Sequence, residues 1–129
     1  MNGYPLDHVA VAVASIQEAK TTYEHITGAV CSPIQSIPEQ GVNVAFVGQV
    51  ELIEPINSDG PVARFIQKKG EGLHHIAYTV EDILAELNRI AAQGFQIIDP
   101  EPRSGANGHL VAFLHPKSTG GILIELVQH

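Results

Sequence analysis

Apolar positions along the chain first alternate, then recur at helical spacing, and then the whole order begins again. Leu6 to Val13 reads LDHVAVAV. Strand alternation puts His8, Ala10 and Ala12 on one face and Val9, Val11 and Val13 on the other. Ser15 with Glu18 three residues on forms a capping box. Ile16, Ala19, Tyr23 and Ile26 then mark the apolar face of a helix that Gly28 ends. A short strand is predicted around Ala29 to Cys31, followed by an irregular stretch to Pro38. Val42 to Val47 and Val50 to Glu54 read as a hairpin around Gly48 and Gln49. Asn57 to Gly70 reads as a linking helix, with Pro61 in its first turn and Gly70 at its end. After it, Leu73 to Val80 is again a strand, with His75, Ala77 and Thr79 opposite Ile76, Tyr78 and Val80. Asp82 caps a helix whose apolar face is Ile83, Leu87, Ile90 and Ala91, ended by Gly94. Further strands are predicted near Phe95 to Ile98, His109 to Leu114 and Gly121 to Val127.

The similarity extends to the letters. LDHVAVAV returns as LHHIAYTV at an offset of 75 − 8 = 67, and VAFV returns as VAFL at 111 − 44 = 67. Pro33 returns as Pro100 at the same offset. VELIE returns as IELVQ at 125 − 51 = 74. Two copies are too few for an open solenoid, so they must pair across a pseudo-twofold axis. The predicted class is α+β: two βαβββ modules forming one curved, mostly antiparallel sheet with the helices outside. A chain of 129 residues fits one domain. Within it, module one runs over about 5–56, the linking helix over about 57–70 and module two over about 72–128.

Composition narrows the classes. No apolar run is long enough for a transmembrane helix, and Val9 to Ala14 lacks the length and basic flank of a signal peptide. The single Cys31 cannot form an internal disulfide, which suits a reducing cytoplasm. A net charge of −7 argues against nucleic acid and membrane as partners. An anionic substrate would have to be met by local basic groups.

The repeat also carries the chemistry. Each copy has one His near its start and one Glu near its end: His8 with Glu51, and His75 with Glu125. Glu51 alternates with Val50 and Leu52, and Glu125 with Ile124 and Leu126. A buried carboxylate is costly without a cation. Two imidazoles and two carboxylates at equivalent places suit one divalent first-row ion. We therefore expect His8, Glu51, His75 and Glu125 to form one metal site per chain, with cobalt, manganese, nickel or zinc as the ion. His74, on the opposite strand face, reads as structural. The second hairpin is longer by 74 − 67 = 7 residues, inserted at HPKSTGG (His115 to Gly121). A Gly-containing loop that breaks the symmetry is a candidate substrate lid or anion-binding loop. Arg64, Lys68, Lys69, Arg103 and Lys117 are five of the seven Lys and Arg residues and cluster in the linking helix and later loops.

Several stretches are distinctive together: PEQGV (Pro38 to Val42), DGPVARFIQKKGEGLHHIAY (Asp59 to Tyr78), EPRSGANG (Glu101 to Gly108) and VAFLHPKSTGGILIELV (Val111 to Val127). With the paired βαβββ pattern, the chain resembles the vicinal oxygen chelate (glyoxalase-like) superfamily and, within it, the methylmalonyl-CoA epimerases. The resemblance covers nearly the whole chain. It carries the first-strand His onto His8, the His of the HHIA element onto His75, and the fourth- and last-strand ligands onto Glu51 and Glu125. Some epimerases resembling this chain pair Gln at the Glu51 position with a Glu on the preceding strand; here Val42, Asn43 and Val44 offer no carboxylate.

The resemblance implies a metal-dependent epimerase of methylmalonyl-CoA or a similar 2-substituted acyl-CoA thioester, acting through a metal-stabilised enolate. Glu125 and Glu51 would be the catalytic carboxylates. His115, Lys117, Ser118 and Arg103 would be weaker contacts to the substrate, and some basic groups would meet the coenzyme A phosphates. A homodimer is expected, since curved half-barrels expose sheet edges. Two alternatives use the same scaffold. One is a glutathione-dependent isomerase of the lactoylglutathione lyase kind. The other is a non-catalytic protein that sequesters a small drug, against which the complete ligand set counts.

Overall fold

The computed structural model describes residues 3–129. It divides the chain into two compact units: a segment from Val9 to His74, and a second made of the residues up to His8 together with His75 to His129. The boundary falls inside two strands, so His8 and His75 belong to the same unit.

The Val9–His74 unit contains most of β1 (Leu6–Ala12), then α1 (Ile16–Thr27), β2 (Gln35–Ile37), β3 (Val42–Val47), β4 (Val50–Pro55) and α2 (Pro61–Lys69). Its strand order is β2-β3-β4-β1. β2, β3 and β4 pair antiparallel, and β1 lies parallel to β4 with Ala10 opposite Glu51. The hairpin turns at Gly48 and Gln49 as the alternation requires, with Gly48 at φ 61, where a Cβ would be strained. The Ser15 hydroxyl accepts the Glu18 amide at the start of α1, and Gly28 ends it in the left-handed region. α1 packs on β3 and β4, closing a core of Val13, Ile16, Ala45, Val47 and Leu52. Val11 and Val13, on the bulky face of β1, join that core as their alternation predicts.

The other unit holds β5 (Gly72–Thr79, from His75 onward), α3 (Ile83–Ala92), β6 (Arg103–Ser104), β7 (Leu110–Leu114) and β8 (Ile124–Gln128). Its order is β5-β8-β7-β6. β5 lies parallel to β8, with Ala77 opposite Glu125, while the other pairs are antiparallel. α3, capped by Asp82, packs on β7 and β8 over Val80, Ile83, Leu87, Ile90, Ala112, Leu114 and Leu126. The fold class is α+β, and each unit lays a helix on a mixed sheet of mainly antiparallel pairs.

Three predicted elements differ. Ala29 to Cys31 forms no strand; β2 lies later, at Gln35–Ile37. Local acceptors take its amides instead: the Thr27 hydroxyl takes that of Ala29, and Glu24 that of Cys31 at 2.7 Å. Phe95 to Ile98 contributes a single bridge, Ile97 to Leu114, and the short β6 lies later in the chain. The linking helix begins only at Pro61, because Pro fits its first turn and Gly60 stands at the cap. Among the described residues, no helix is long and apolar enough to cross a membrane.

Candidate metal centre

Four ionisable or imidazole side chains are buried among the described residues: His8, Glu51, His75 and Glu125, at 4% to 6% exposure. They are the four that the repeat singles out. Burial of an isolated carboxylate costs several kcal/mol, so each must be compensated locally.

The sheets seat them by register. Glu51 lies opposite Ala10 on β1 and opposite Phe46 on β3. Glu125 lies opposite Ala77 on β5 and opposite Phe113 on β7. Ala10 and Ala77 are each two residues after a His and therefore on the same strand face. A small side chain beside each carboxylate keeps the neighbouring strand from crowding it. Ala10, Ala12 and Ala77 have no exposure, and Ala77 packs against Val111 and Val127.

In the unit that contains them, His8, His75 and Glu125 converge. Glu125 Oε1 stands 3.1 Å from His8 Nε2 and 3.2 Å from His75 Nε2. The imidazole centroids are 5.6 Å apart, with planes at 75°. Burial pushes the Glu125 carboxyl up, but the close approach of His75 and His8 outweighs it and holds the group below its ordinary value. Phe113 meets the His75 ring edge to face at 5.2 Å, and Asp7 Oδ2 stands 2.6 Å from His8 Nδ1.

The donor set fits a metal. Bonds of about 2.1 Å separate neighbouring ligand atoms by about 3.0 Å in an octahedron and about 3.4 Å in a tetrahedron. The two N–O spacings at Glu125 lie between those values. His8, Glu51 and His75 each offer one ligand atom from a buried position. Glu51 belongs to the Val9–His74 unit, where β4 seats it as β8 seats Glu125.

The weaker sequence candidates have partners within the chain. His115 Nδ1 accepts the Lys117 amide at 3.0 Å and caps the turn Pro116–Ser118. The Ser118 hydroxyl accepts the Gln96 amide at 2.8 Å. Arg103 pairs with Asp99 at 3.2 Å. Lys117 is exposed on the same inserted loop. A surface cavity of about 730 Å³, lined by Tyr4, Thr79, Asp82, Glu86 and Arg89 among others, includes none of the candidate residues. Asp7 is the site residue that sequence reasoning misses. Alternation assigns it to the face opposite His8, and its only signal is adjacency to a ligand.

Comparison with known proteins agrees with this geometry. Residues 7–113 match the family described as the Glyoxalase/Bleomycin resistance protein/Dioxygenase superfamily. The Bacillus subtilis protein YqjC is 45% identical over 127 residues, spanning 95% of this chain and 91% of that one. An ethylmalonyl-CoA/methylmalonyl-CoA epimerase of Cereibacter sphaeroides is 40% identical over 129 residues, 95% of this chain and 96% of the other. A variant of Streptomyces coelicolor methylmalonyl-CoA epimerase, solved in complex with 2-nitronate-propionyl-CoA, superposes with a TM-score of 0.92. It is 31% identical, covering 98% of this chain and 95% of that one. The repeat, the fold and these similarities lead to one conclusion: the chain belongs to the glyoxalase/bleomycin resistance/dioxygenase superfamily and, within it, to the methylmalonyl-CoA epimerase family.

Proposed function

We propose that this chain epimerises methylmalonyl-CoA, or a similar 2-substituted acyl-CoA thioester, with one divalent metal ion held by His8, Glu51, His75 and Glu125. The observation that carries the reading is the identity of the buried ionisable set with the four repeat-equivalent residues. The convergence of His8, His75 and Glu125 supports it further. The metal would supply Lewis acidity to the thioester oxygen, lowering the cost of negative charge as the proton leaves.

The chain's own residues would do the rest. Epimerisation requires proton transfer on both faces of a planar intermediate. Glu125, kept ionised by its two imidazole neighbours, can accept the proton on one face. Glu51, on the equivalent strand of the other copy, is our candidate for the opposite face. Lys117, on the inserted loop, and Arg64, Lys68 and Lys69, on and near the exposed side of α2, are candidates to meet the phosphates of an acyl-CoA. The S. coelicolor relative was solved with 2-nitronate-propionyl-CoA, which favours an acyl-CoA substrate over glutathione conjugates.

Single-enantiomer methylmalonyl-CoA in heavy water tests the reading. We expect inversion with deuterium at carbon 2, lost on chelation and restored by a divalent first-row ion. Turnover of a glutathione hemithioacetal but not of the acyl-CoA would overturn it. A cytoplasmic homodimer belongs to the same proposal, supported by the exposed Leu6, Leu73 and Leu110. A monomer by sedimentation at micromolar concentration would refute the dimer.

A further inference from the structure

The Asp7 carboxylate has more partners than a surface acid needs. Its Oδ2 stands 2.6 Å from Nδ1 of His8. Its Oδ1 accepts from the Thr79 hydroxyl at 2.9 Å and meets Nε2 of His129. The His129 ring in turn stacks on His109, with centroids 4.0 Å apart and planes at 21°. All of these residues lie in one compact unit. The Asp7 side chain is 15% exposed, so water competes weakly for its oxygens.

Carboxylates face both ring nitrogens of His8, Asp7 at 2.6 Å from Nδ1 and Glu125 at 3.1 Å from Nε2, so a neutral ring carries its proton on the nearer, Asp7 side. With the proton at Nδ1, the His8 Nε2 is a lone-pair donor. It faces Glu125 Oε1 at 3.1 Å, and two lone pairs at that distance repel unless a cation or proton lies between them. A carboxylate behind a ligand imidazole also raises its basicity and locks its ring orientation.

The second copy has no carboxylate at the position equivalent to Asp7. The position equivalent to Asp7 is 7 + 67 = 74, and His74 meets Phe65 edge to face at 4.8 Å instead. His75 is steadied by the Phe113 ring. The residue that precedes each repeat-related histidine therefore differs between the copies.

We propose that Asp7 is a positioning residue that fixes His8 as the Nδ1–H tautomer and so presents Nε2 to the metal, with Thr79 and His129 holding Asp7 in place. The inference rests on the metal reading above, and its test separates the two. Nitrogen-15 NMR of the metal-free protein reads the His8 tautomer directly. The wild type should carry its proton at Nδ1, and Asp7→Leu should move a large share of the population to Nε2–H. Calorimetry with Co²⁺ alone should find affinity about 10- to 100-fold weaker in Asp7→Leu, the usual scale for losing such a partner. Thr79→Val should weaken it less, and Thr79→Ser should restore it. If Asp7→Leu does not fold, Thr79→Val and its Ser rescue carry the test. An unchanged tautomer with Co²⁺ affinity within twofold of wild type would overturn the role of Asp7. Absence of Co²⁺ binding by the wild type would instead overturn the metal reading, while the tautomer measurement would still decide what Asp7 does.

Discussion

The two copies of the module match where backbone register is set and differ where side chains reach beyond it. Glu51 sits between Ala10 and Phe46, and Glu125 between Ala77 and Phe113. Glu54 accepts the amide of Ile16 at 2.9 Å, the first residue of α1. Gln128, its repeat equivalent, accepts the amide of Ile83 at 2.9 Å, the first residue of α3. A one-residue slip in any of these strands would turn the carboxylate away from its face, so the anchors of register are the features both copies retain. The divergence lies elsewhere. β3 and β4 are joined by residues 48–49, whereas β7 and β8 are joined by residues 115–123 with a helical turn inside. Asp7 stands behind one histidine, but His74 occupies its place in the other copy. The duplicated frame seats two carboxylates alike, and its surroundings are free to make them unequal.

That inequality is sharpest in catalysis. Glu125→Gln keeps a metal-capable oxygen and removes a base, so turnover should fall by at least ~10²-fold, the usual scale for a general acid–base group. Glu51→Gln should be milder in deuterium exchange yet still impair inversion, if the two groups serve opposite faces. Exchange and inversion measured on each variant decide this. Full inversion in both would mean that neither Glu is the essential base.

Stability should behave in the opposite way, equally in both copies. Leu52 and its equivalent Leu126 are essentially inaccessible and lie in matching cores. Leu52→Ala and Leu126→Ala should each cost about 2–5 kcal/mol in urea unfolding. Values differing by more than that whole range would show that the cores are not equivalent. The helix caps extend the comparison at smaller scale. Ser15→Ala and Asp82→Ala should each cost about 1 kcal/mol, since each side chain satisfies an amide at its helix start, at 3.3 and 3.1 Å. A cap variant indistinguishable from wild type would remove that helix from the list of symmetric anchors.

What was legible in the sequence follows the same division. Period-two alternation and the internal repeat locate β1, β5 and the four buried ligand-type residues, because register and burial are imposed by neighbours in sequence. The caps at Ser15 and Asp82 and the turn at Gly48 and Gln49 are also local. The segments after each first helix are misread. Ala29 to Cys31 has strand-like residues, yet the Glu24 and Thr27 side chains take its amides. No strand pattern encodes that competition. Asp7 is missed for a related reason: alternation gives the face of a Cβ, not the reach of a carboxylate to a ring nitrogen next to it. His115 and Ser118, the weaker substrate candidates, lie on the inserted loop, where His115 caps the turn and Ser118 ties it to Gln96, bonds that no sequence pattern signals.

The smallest expected effect probes a feature present in one copy alone. Glu86 accepts hydrogen bonds from the Tyr4 hydroxyl and from Arg89, whose guanidinium also lies over the Tyr4 ring at 6.0 Å. The position equivalent to Glu86 is 86 − 67 = 19, and Ala19 has no such chemistry. The Tyr4 hydroxyl first, and Arg89 second, hold the Glu86 carboxyl below its ordinary value of 4.5. A depressed folded value means that the unfolded chain binds more protons between the two values, so stability rises with pH across that window. The contribution is fully present above 4.5 and is lost as pH falls through the folded value. The Glu86 side chain is 26% exposed and its partner Arg89 more so, so solvent reaches the pair and the effect is small and screened by salt. Glu86→Gln should be slightly less stable than wild type at neutral pH, with the gap closing under acid. Replacing Ala19 should add no matching pH dependence. Chemical denaturation at neutral pH and well below 4.5, at low and high salt, measures both. An unchanged gap across that range would assign the Glu86 contribution to packing rather than charge.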